Sequence, residues 1–195
     1  MTKAIFFDTG GVLLKEGLAQ SIREYERRFG VPEGLLYASA HDRPYWREFT
    51  LGNITEDEYW RQLSQDFGQE VKLEDWHDIV RKSFSPNLPL LDFIKTLQGQ
   101  FILGVISNHP KEWFDYYWDT YKWGDLFTVK AISGYVHIRK PDPKIFQYAL
   151  RQAGVNGEEA IYVDDRPERV EGAETLGIRV IMYQDVEHLK ANFIH

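Results

Sequence analysis

Short apolar runs, each about the length of one strand, recur along the chain. They predict five strands, over residues 4–7, 101–107, 128–133, 160–163 and 178–183. Runs of this length, bounded by polar residues and glycine, are typical of buried strands. Four of the five lie in the second half of the chain, so the first strand must join the others across a long intervening segment.

Helical patterns separate the later strands. Asp142 can cap one helix, Pro143 suits its first turn, and Gly154 can end it. The apolar face of this helix comprises Ile145, Phe146, Ala149, Leu150 and Ala153. A second helix of the same plan is predicted over residues 166–177. Because strand and helix alternate from about residue 88 onward, the pattern predicts an α/β fold with a parallel sheet flanked by helices.

Residues 15–87 differ in character, because their apolar positions recur only with a helical period. One stripe comprises Leu18, Ile22, Tyr25 and Phe29. Thr55 and Glu58 are spaced as a capping box at the start of a further helix. A later stripe comprises Leu73, Trp76, Ile79 and Val80. We therefore predict an all-helical cap over residues 15–87, inserted into a catalytic core formed by residues 1–14 and 88–195.

Composition narrows the functional classes. The 195 residues include no cysteine, which excludes disulfides and a thiol nucleophile and agrees with a reducing compartment. A net charge of −7 argues against a general nucleic-acid binder. No run approaches the roughly 18 apolar residues of a membrane span, and Asp8 interrupts the one early candidate for a signal sequence. We expect a soluble cytoplasmic protein, monomeric or homodimeric, with no nucleic-acid or membrane partner.

Polar side chains stand at or near the ends of four predicted strands. They are Asp8 after the first, Ser107 and Asn108 after the second, Lys140 beyond the third, and Asp164 and Asp165 after the fourth. The carboxyl ends of parallel strands share one edge of the sheet, where ligands of such folds bind. We therefore expect these side chains to meet in a single site.

The chemistry of this set fits phosphoryl transfer to a carboxylate. Asp8 can attack phosphorus and form an aspartyl-phosphate, which divides one difficult hydrolysis into two easier steps. Because a carboxylate and a phosphate repel each other, a cation must bridge them, and Mg²⁺ with oxygen ligands is the usual solution. Asp8, Asp164 and the carbonyl of Gly10 can supply ligands, with Asp165 binding directly or through water.

The remaining groups suit the substrate. Lys140 can neutralise charge on the phosphoryl oxygens, and Ser107 can hold them together with backbone N–H groups at the start of the next helix. Asn108 and Gly11, which adjoin these groups in the sequence, complete the predicted substrate-binding set. The expected partner is a small phosphorylated metabolite.

Four segments resemble, in order, the motifs of the haloacid dehalogenase-like superfamily: FFDTGGVLL, VISN, RKPDPKIF and YVDDRPERVEGAETLG. The segment LGNITEDEYW is similar to the helical caps of its subfamily I. The resemblance spans nearly the whole chain and is nearest to bacterial phosphatases of small sugar phosphates, including the glucose-1-phosphate type. It implies a Rossmann-like core, Mg²⁺, Asp8 as nucleophile, and phosphate contacts by Ser107 and Lys140.

Two positions depart from the family pattern. Most of its phosphatases have a second Asp, the general acid and base, where this chain has Gly10, and Arg169 replaces an Asn that often follows the acidic pair. General acid–base assistance is typically worth about 10²–10⁴-fold in rate. The substrate should therefore have a leaving group that needs little protonation, such as a sugar 1-phosphate or an acyl phosphate. Alternatively His41, Asp42 or His109 replaces the missing acid.

Two rival functions stay open beside a Mg²⁺-dependent phosphatase. In a haloacid dehalogenase Asp8 would attack carbon; those enzymes have Tyr at the Gly10 position and need no metal, which disfavours this alternative. In a binding or regulatory module that lost the acid, the fold would persist without catalysis. Phosphate release by the unchanged protein and by Asp8→Asn distinguishes the phosphatase from the silent module.

Two further sets of side chains each allow two interpretations. The cap residues His41, Asp42, Arg43, Trp46 and Arg47 can contact the substrate or form a solvated helix face. An aromatic cluster comprises Trp113, Phe114, Tyr116, Tyr117, Trp118, Tyr121 and Trp123. Aromatic residues at helical spacing usually belong to the core, but so many in eleven residues cannot all face inward. Some must be exposed or lie in an interface.

Overall fold

The computed structural model describes residues 1–15, 17–32, 34, 43–67 and 73–193. Its strands are β1 (Ala4–Phe7), β2 (Leu14–Lys15), β3 (Ser85–Pro86), β4 (Ile102–Ser107), β5 (Val129–Ile132), β6 (Ala160–Asp164) and β7 (Arg179–Met182). Five of them form one parallel sheet in the order β5–β4–β1–β6–β7. This sheet confirms the predicted α/β class and all five predicted strands.

The first strand of the chain lies at the centre of the sheet. Every residue of β1 is apolar and buried, as a strand covered on both faces requires. Phe7 pairs with Val105 of β4 on one side and with Val163 of β6 on the other. Because these pairs are parallel and in register, the three strands end side by side at one edge of the sheet.

Helices cover the sheet and make up most of the described part of the segment between β2 and β3. The described helices are α1 (Leu18–Phe29), α2 (Pro44–Thr50), α3 (Glu56–Phe67), α4 (Leu73–Ser83), α5 (Leu88–Leu97), α6 (Lys111–Thr120), α7 (Ser133–Val136), α8 (Pro143–Ala153), α9 (Glu171–Glu174) and α10 (Val186–Phe193). In the part of the chain that the structure describes, no helix is both long and apolar enough to cross a bilayer.

Local capping signals set several helix ends. The Asp142 side chain accepts a hydrogen bond from the backbone N–H of Lys144 (2.9 Å) at the start of α8. At the start of α3, Glu58 and Thr55 form the expected capping box, with the N–H of Thr55 donating to Glu58 (2.7 Å) and the N–H of Glu58 donating back (3.2 Å). Gly154 ends α8 in the left-handed conformation, which glycine adopts without steric cost. These predictions are confirmed.

The helix predicted over residues 166–177 is shorter than expected. It consists of a 3₁₀ turn, Pro167–Arg169, followed by the single helical turn of α9. The backbone packs closely at Gly172, where a Cβ would lie 2.0 Å from the carbonyl oxygen of Pro141. This contact joins distant parts of the chain, so apolar periodicity does not reveal it.

A short antiparallel ladder between β2 and β3 joins the two ends of the segment 15–87. Leu14 pairs with Pro86 and Lys15 with Ser85 in an antiparallel arrangement that the sequence pattern does not predict, because two residues carry no period. The Asn87 side chain strengthens this closure by donating to the Val12 carbonyl (2.9 Å). The division into a core and a helical cap stays a prediction.

The aromatic cluster belongs mainly to the core. Trp113, Phe114, Tyr117 and Trp123 are buried. Tyr116 is exposed, and Trp118 and Tyr121 are partly covered. The expectation that some of the seven rings face outward is therefore correct, and most of the cluster is accounted for by packing.

Candidate active site

Three of the predicted side chains meet at the carboxyl edge of the sheet. Asp8 directly follows β1, while Ser107 and Asp164 are the last residues of the neighbouring strands β4 and β6. The Ser107 hydroxyl donates a hydrogen bond to Asp8 Oδ1 (2.7 Å). The register of the three central strands places these groups together, as expected from their positions at strand ends.

Lys140 joins the two aspartates although it lies in a loop eight residues beyond β5. Its Nζ is 3.0 Å from Asp8 Oδ1 and 2.7 Å from Asp164 Oδ2. All three residues are almost fully buried, with exposures of 1% for Asp8, 4% for Lys140 and 0% for Asp164. Buried charges are costly unless paired, so each of these groups depends on the others for its place.

Tyr162 is a site residue that the sequence did not indicate. It precedes Asp164 by two positions in β6, so both side chains point to the same face of the sheet. Its hydroxyl accepts a hydrogen bond from Lys140 (2.5 Å) and donates to Asp164 Oδ2 (2.5 Å). Burial, followed by the charges of Asp8 and Asp164, raises the Tyr162 pKa well above its ordinary value, so the hydroxyl keeps its proton. The sequence signal that could have identified Tyr162 is its hydroxyl, a polar group within the otherwise apolar run of residues 160–163.

Asn108 contacts Lys140 through both ends of its side-chain amide. Its Nδ2 donates to the Lys140 carbonyl (3.0 Å), and its Oδ1 accepts from the Lys140 backbone N–H (2.8 Å). The amide therefore positions the loop that carries the buried ammonium. A direct contact of Asn108 with substrate stays a prediction.

The three acidic residues form a cluster that fits a divalent cation. One potential ligand atom from each of Asp8, Asp164 and Asp165 lies within 4.8 Å of the others. Asp8 Oδ2 and Asp165 Oδ1 are buried and, among the described residues, have no hydrogen-bond partner. Burial, with the negative charges of Asp8 and Asp164, raises the Asp165 pKa to about 6. Unpartnered, mutually repelling carboxylate oxygens are the donors that Mg²⁺ prefers.

The two oxygens of Asp8 have different surroundings. Oδ1 accepts hydrogen bonds from the backbone N–H of Thr9 (2.7 Å) and from Ser107, and lies beside the Lys140 ammonium. Oδ2 lies 3.6 Å from Arg169 Nη1, beyond hydrogen-bond distance. The carboxylate is therefore held in one orientation, with one oxygen surrounded by donors and the other open to a cation.

Gly10 and Gly11 differ in whether the structure leaves room for a side chain. Gly11 has a φ of 81°, which favours glycine, and a Cβ there would lie 2.2 Å from Asp165 Oδ2, so a side chain at this position would displace the Asp165 carboxylate. At Gly10 a Cβ would meet no described heavy atom within 4 Å. A side chain is therefore sterically possible at Gly10, and its absence is a chemical feature of this protein. The substrate contact of Gly11 and the metal contact of the Gly10 carbonyl stay predictions.

A pocket opens onto Asp8. Its lining comprises Asp8, Gly10, Trp46, Phe84, Ser107, Asn108, His109, Pro110, Trp113, Arg139, Arg166 and Arg169. The pocket therefore combines an aromatic wall, formed by Trp46, Phe84 and Trp113, with three guanidinium groups. Of the three arginines, only Arg169 was noted as a site residue from the sequence.

His109 is a poor candidate for the missing proton donor. It is buried, and burial together with the charges of Arg169 and Lys140 lowers its pKa to about 3. The imidazole is therefore neutral near pH 7 and has no readily released proton. His41 and Asp42, the other candidates, lie outside the described residues.

The described cap residues that could contact substrate, Arg43, Trp46 and Arg47, have different surroundings. Trp46 lines the pocket, in keeping with a role in substrate contact. Arg43 lies 3.4 Å from Asp66 in an exposed ion pair. Trp46 is therefore the described residue of this set that lines the pocket, while the charge of Arg47 helps to lower the pKa of Arg139.

Comparisons with known proteins agree with the geometry. The chain is 25% identical over 186 residues to flavin mononucleotide hydrolase 1 of Arabidopsis thaliana, covering 95% of this chain and 74% of that protein. It is 23% identical over 184 residues to D-ribitol-5-phosphate phosphatase of Bacteroides thetaiotaomicron, covering 91% and 89%. It matches drimenol cyclase drtB of Aspergillus calidoustus at 26% identity over 97% of its length but spans only 35% of that protein.

A crystal structure of a HAD-family enzyme from Bacteroides thetaiotaomicron has the same fold, with a TM-score of 0.84, 20% identity, and coverage of 97% of this chain and 99% of that one. The family model described as haloacid dehalogenase-like hydrolase matches residues 47–183, which is more than half of the sequence. The family predicted from the four motifs is thereby confirmed. The chain belongs to the haloacid dehalogenase-like hydrolases.

Proposed function

We propose that this protein is a Mg²⁺-dependent phosphatase that hydrolyses a small phosphorylated metabolite through an aspartyl-phosphate on Asp8. The observation that carries the proposal is the buried contact of Lys140 with both Asp8 and Asp164, with Ser107 on the same Asp8 oxygen. Two similar proteins also support the proposal, because their names describe a hydrolase and a phosphatase: flavin mononucleotide hydrolase and D-ribitol-5-phosphate phosphatase. The structural neighbour from Bacteroides thetaiotaomicron contains magnesium and inorganic phosphate.

The residues that would hold Mg²⁺ are Asp8, Asp164 and Asp165, with the Gly10 carbonyl. The unpartnered oxygens of Asp8 and Asp165 support this assignment, because a buried carboxylate oxygen without a donor is costly until a cation binds it. When bound, the ion neutralises the repulsion between the Asp8 carboxylate and the incoming phosphate.

The nucleophilic oxygen is Asp8 Oδ1. Its surroundings place Ser107 and Lys140 where they can turn to the phosphoryl oxygens as the substrate enters. In the first step a bond forms between Oδ1 and phosphorus while the bond to the leaving oxygen breaks. In the second step water attacks phosphorus, which releases inorganic phosphate and restores the Asp8 carboxylate. Lys140 compensates the negative charge on the phosphoryl oxygens in both steps.

The substrate has a leaving group that needs little protonation. Gly10 offers no acid, and His109 is neutral at physiological pH. A sugar 1-phosphate or an acyl phosphate releases an oxygen of lower basicity than a simple alkyl phosphate does. A substrate of this kind removes the need for the general acid that most phosphatases of the family have.

The test is Mg²⁺-dependent phosphate release from sugar phosphates, acyl phosphates and a series of aryl phosphates, by the unchanged protein and by Asp8→Asn. We expect turnover that depends on Asp8 and on Mg²⁺, with a rate that falls steeply as the pKa of the leaving group rises. A flat dependence would contradict the leaving-group assignment. Equal background release by both proteins would contradict the phosphatase and favour the silent binding module.

The dehalogenase alternative has less support. Attack on carbon needs no metal, whereas Asp8 and Asp165 together present unpartnered oxygens suited to a cation. Halide release from 2-chloropropionate, measured beside the phosphate panel, separates the two reactions.

A further inference from the structure

Three arginines, Arg139, Arg166 and Arg169, line the pocket. Arg166 Nε lies 3.5 Å from Asp165, and Arg169 Nη1 lies 3.6 Å from Asp8. Arg139 forms no ion pair within the described part of the chain. Among the described residues that line the pocket, Asp8 is the only acid, so the pocket carries more positive than negative charge.

The surroundings of Arg139 oppose its charge. The side chain is partly buried, and burial, followed by repulsion from Arg47 and Arg169, lowers its pKa to about 10. The three arginines of the pocket lining, Arg139, Arg166 and Arg169, come from two separate parts of the fold, the loop before α8 and the segment that follows β6. Like charges brought together by folding cost free energy unless an anion lies between them. The arrangement therefore indicates a bound anion.

The transferred phosphoryl group does not account for this anion. That group has Lys140 and Ser107 beside Asp8, and Arg169 nearby. Arg139 precedes Lys140 in the chain, yet it lines the open pocket while Lys140 is buried against Asp8. Two residues adjacent in the sequence thus place their side chains in two different parts of the site. One small molecule can span both.

The rest of the pocket suits the body of such a molecule. Trp46, Phe84 and Trp113 line it, and aromatic rings of this kind cover the apolar faces of sugars and other small skeletons. The orientation of the Trp113 ring is also held by a hydrogen bond, because its indole N–H donates to the buried Glu56 (2.8 Å). The wall is therefore preformed.

We propose that the substrate carries a second anionic group, a phosphoryl or a carboxylate, which Arg139 binds while the first phosphoryl group reacts at Asp8. This inference deepens the proposed function and rests on it. Guanidinium groups bind both kinds of anion through paired, charge-assisted hydrogen bonds. The aromatic wall packs against the skeleton that connects the two anions.

The experiment compares matched substrates that differ in one anionic group. One pair is glucose 1,6-bisphosphate and glucose 1-phosphate, and the other is glucuronic acid 1-phosphate and glucose 1-phosphate. For at least one pair we expect kcat/KM to be about tenfold or more higher for the doubly anionic member, as one charge-assisted contact provides. Which pair shows the preference tells whether the second anion is a phosphoryl or a carboxylate.

Variants assign the preference to Arg139. Arg139→Gln should reduce the ratio within the preferred pair to near one, and Arg139→Lys, which keeps the charge, should retain part of it. Arg151→Gln is the matched control, because Arg151 is an exposed arginine on α8 that lies outside the pocket lining. A ratio that Arg139→Gln leaves unchanged overturns the proposal.

A binding measurement separates this proposal from the phosphatase function. Calorimetric titration of Asp8→Asn with the same compounds needs no turnover, and we expect the preferred doubly anionic compound to bind about tenfold more tightly than its partner. Turnover without any preference in kcat/KM or in binding overturns the second-anion site and leaves the phosphatase standing. Preferential binding with no turnover by the unchanged protein supports the second-anion site and contradicts the phosphatase.

Discussion

Asn108 holds the backbone of Lys140 by two hydrogen bonds, one from its Nδ2 to the Lys140 carbonyl (3.0 Å) and one to its Oδ1 from the Lys140 N–H (2.8 Å). Asn108 follows strand β4, whereas Lys140 lies in a loop. The amide thus joins this loop to the end of a central strand of the sheet. The position of the Lys140 ammonium between Asp8 and Asp164 depends on this link.

Replacing Asn108 by Ala should therefore lower kcat/KM for the best phosphate substrate by about tenfold or more, since two hydrogen bonds worth about 1 kcal/mol each are lost. The cause is a displaced Lys140, so Asn108→Asp, which keeps the acceptor for the Lys140 N–H, should retain more activity than Asn108→Ala. Asn192→Ala, which removes an amide from α10 far from the site, is the control. Equal activity of Asn108→Ala and the unchanged protein would refute this role.

Mg²⁺ should bind more weakly at pH 5 than at pH 7. Burial and two neighbouring carboxylates raise the Asp165 pKa to about 6, so below pH 6 this side chain holds a proton that the ion must displace. The ionised fraction rises about tenfold from pH 5 to pH 7, and the Mg²⁺ association constant should rise by a similar factor. Isothermal titration calorimetry at both pH values measures this difference.

Asp165→Asn provides the comparison, because it removes the proton competition together with one ligand. Its Mg²⁺ affinity should be lower at pH 7 and nearly the same at both pH values. A pH dependence as large as that of the unchanged protein would show that another group titrates.

Gly10→Asp should install the missing general acid. A Cβ at Gly10 meets no described heavy atom within 4 Å, whereas at Gly11 it would collide with Asp165. We expect faster hydrolysis of alkyl phosphates, by up to about 10²-fold, and little change for p-nitrophenyl phosphate, whose leaving group needs no proton. Gly10→Asn, of similar size but without the acid, should not show this gain. A similar acceleration in both variants would contradict the assignment.

Glu56 should be important for stability, although it lies outside the pocket lining. It is buried, and its Oε1 accepts hydrogen bonds from the indole N–H groups of Trp60 (3.2 Å) and Trp113 (2.8 Å), while Oε2 lies 3.6 Å from Arg81. Glu56→Ala leaves these groups unpaired and should lower the free energy of unfolding by about 3 kcal/mol. Glu58→Ala, which removes an exposed capping residue, should cost about 1 kcal/mol. Urea denaturation compares the two; equal losses would contradict the role of Glu56.

Much of the architecture was predictable from local signals. Apolar runs identify the five strands of the parallel sheet because a strand buried on both faces must be apolar along its whole length. Asp142 and the pair Thr55–Glu58 mark helix starts because capping operates between residues only two or three positions apart. Asp8, Ser107 and Asp164 could be assigned to one site from the rule that parallel strands end at a common edge.

The sequence by itself therefore determined the sheet, several helix ends and the residues of the acidic cluster, all of which depend on short-range patterns or on strand direction. Tertiary structure alone decided the contact of Asn108 with Lys140, the hydrogen bonds of Tyr162, and the presence of Arg139 and Arg169 in one pocket. These contacts join side chains from separate elements, and no periodic pattern in a single chain records which of many polar residues will meet. The physical reason is that packing selects them only after the elements have assembled.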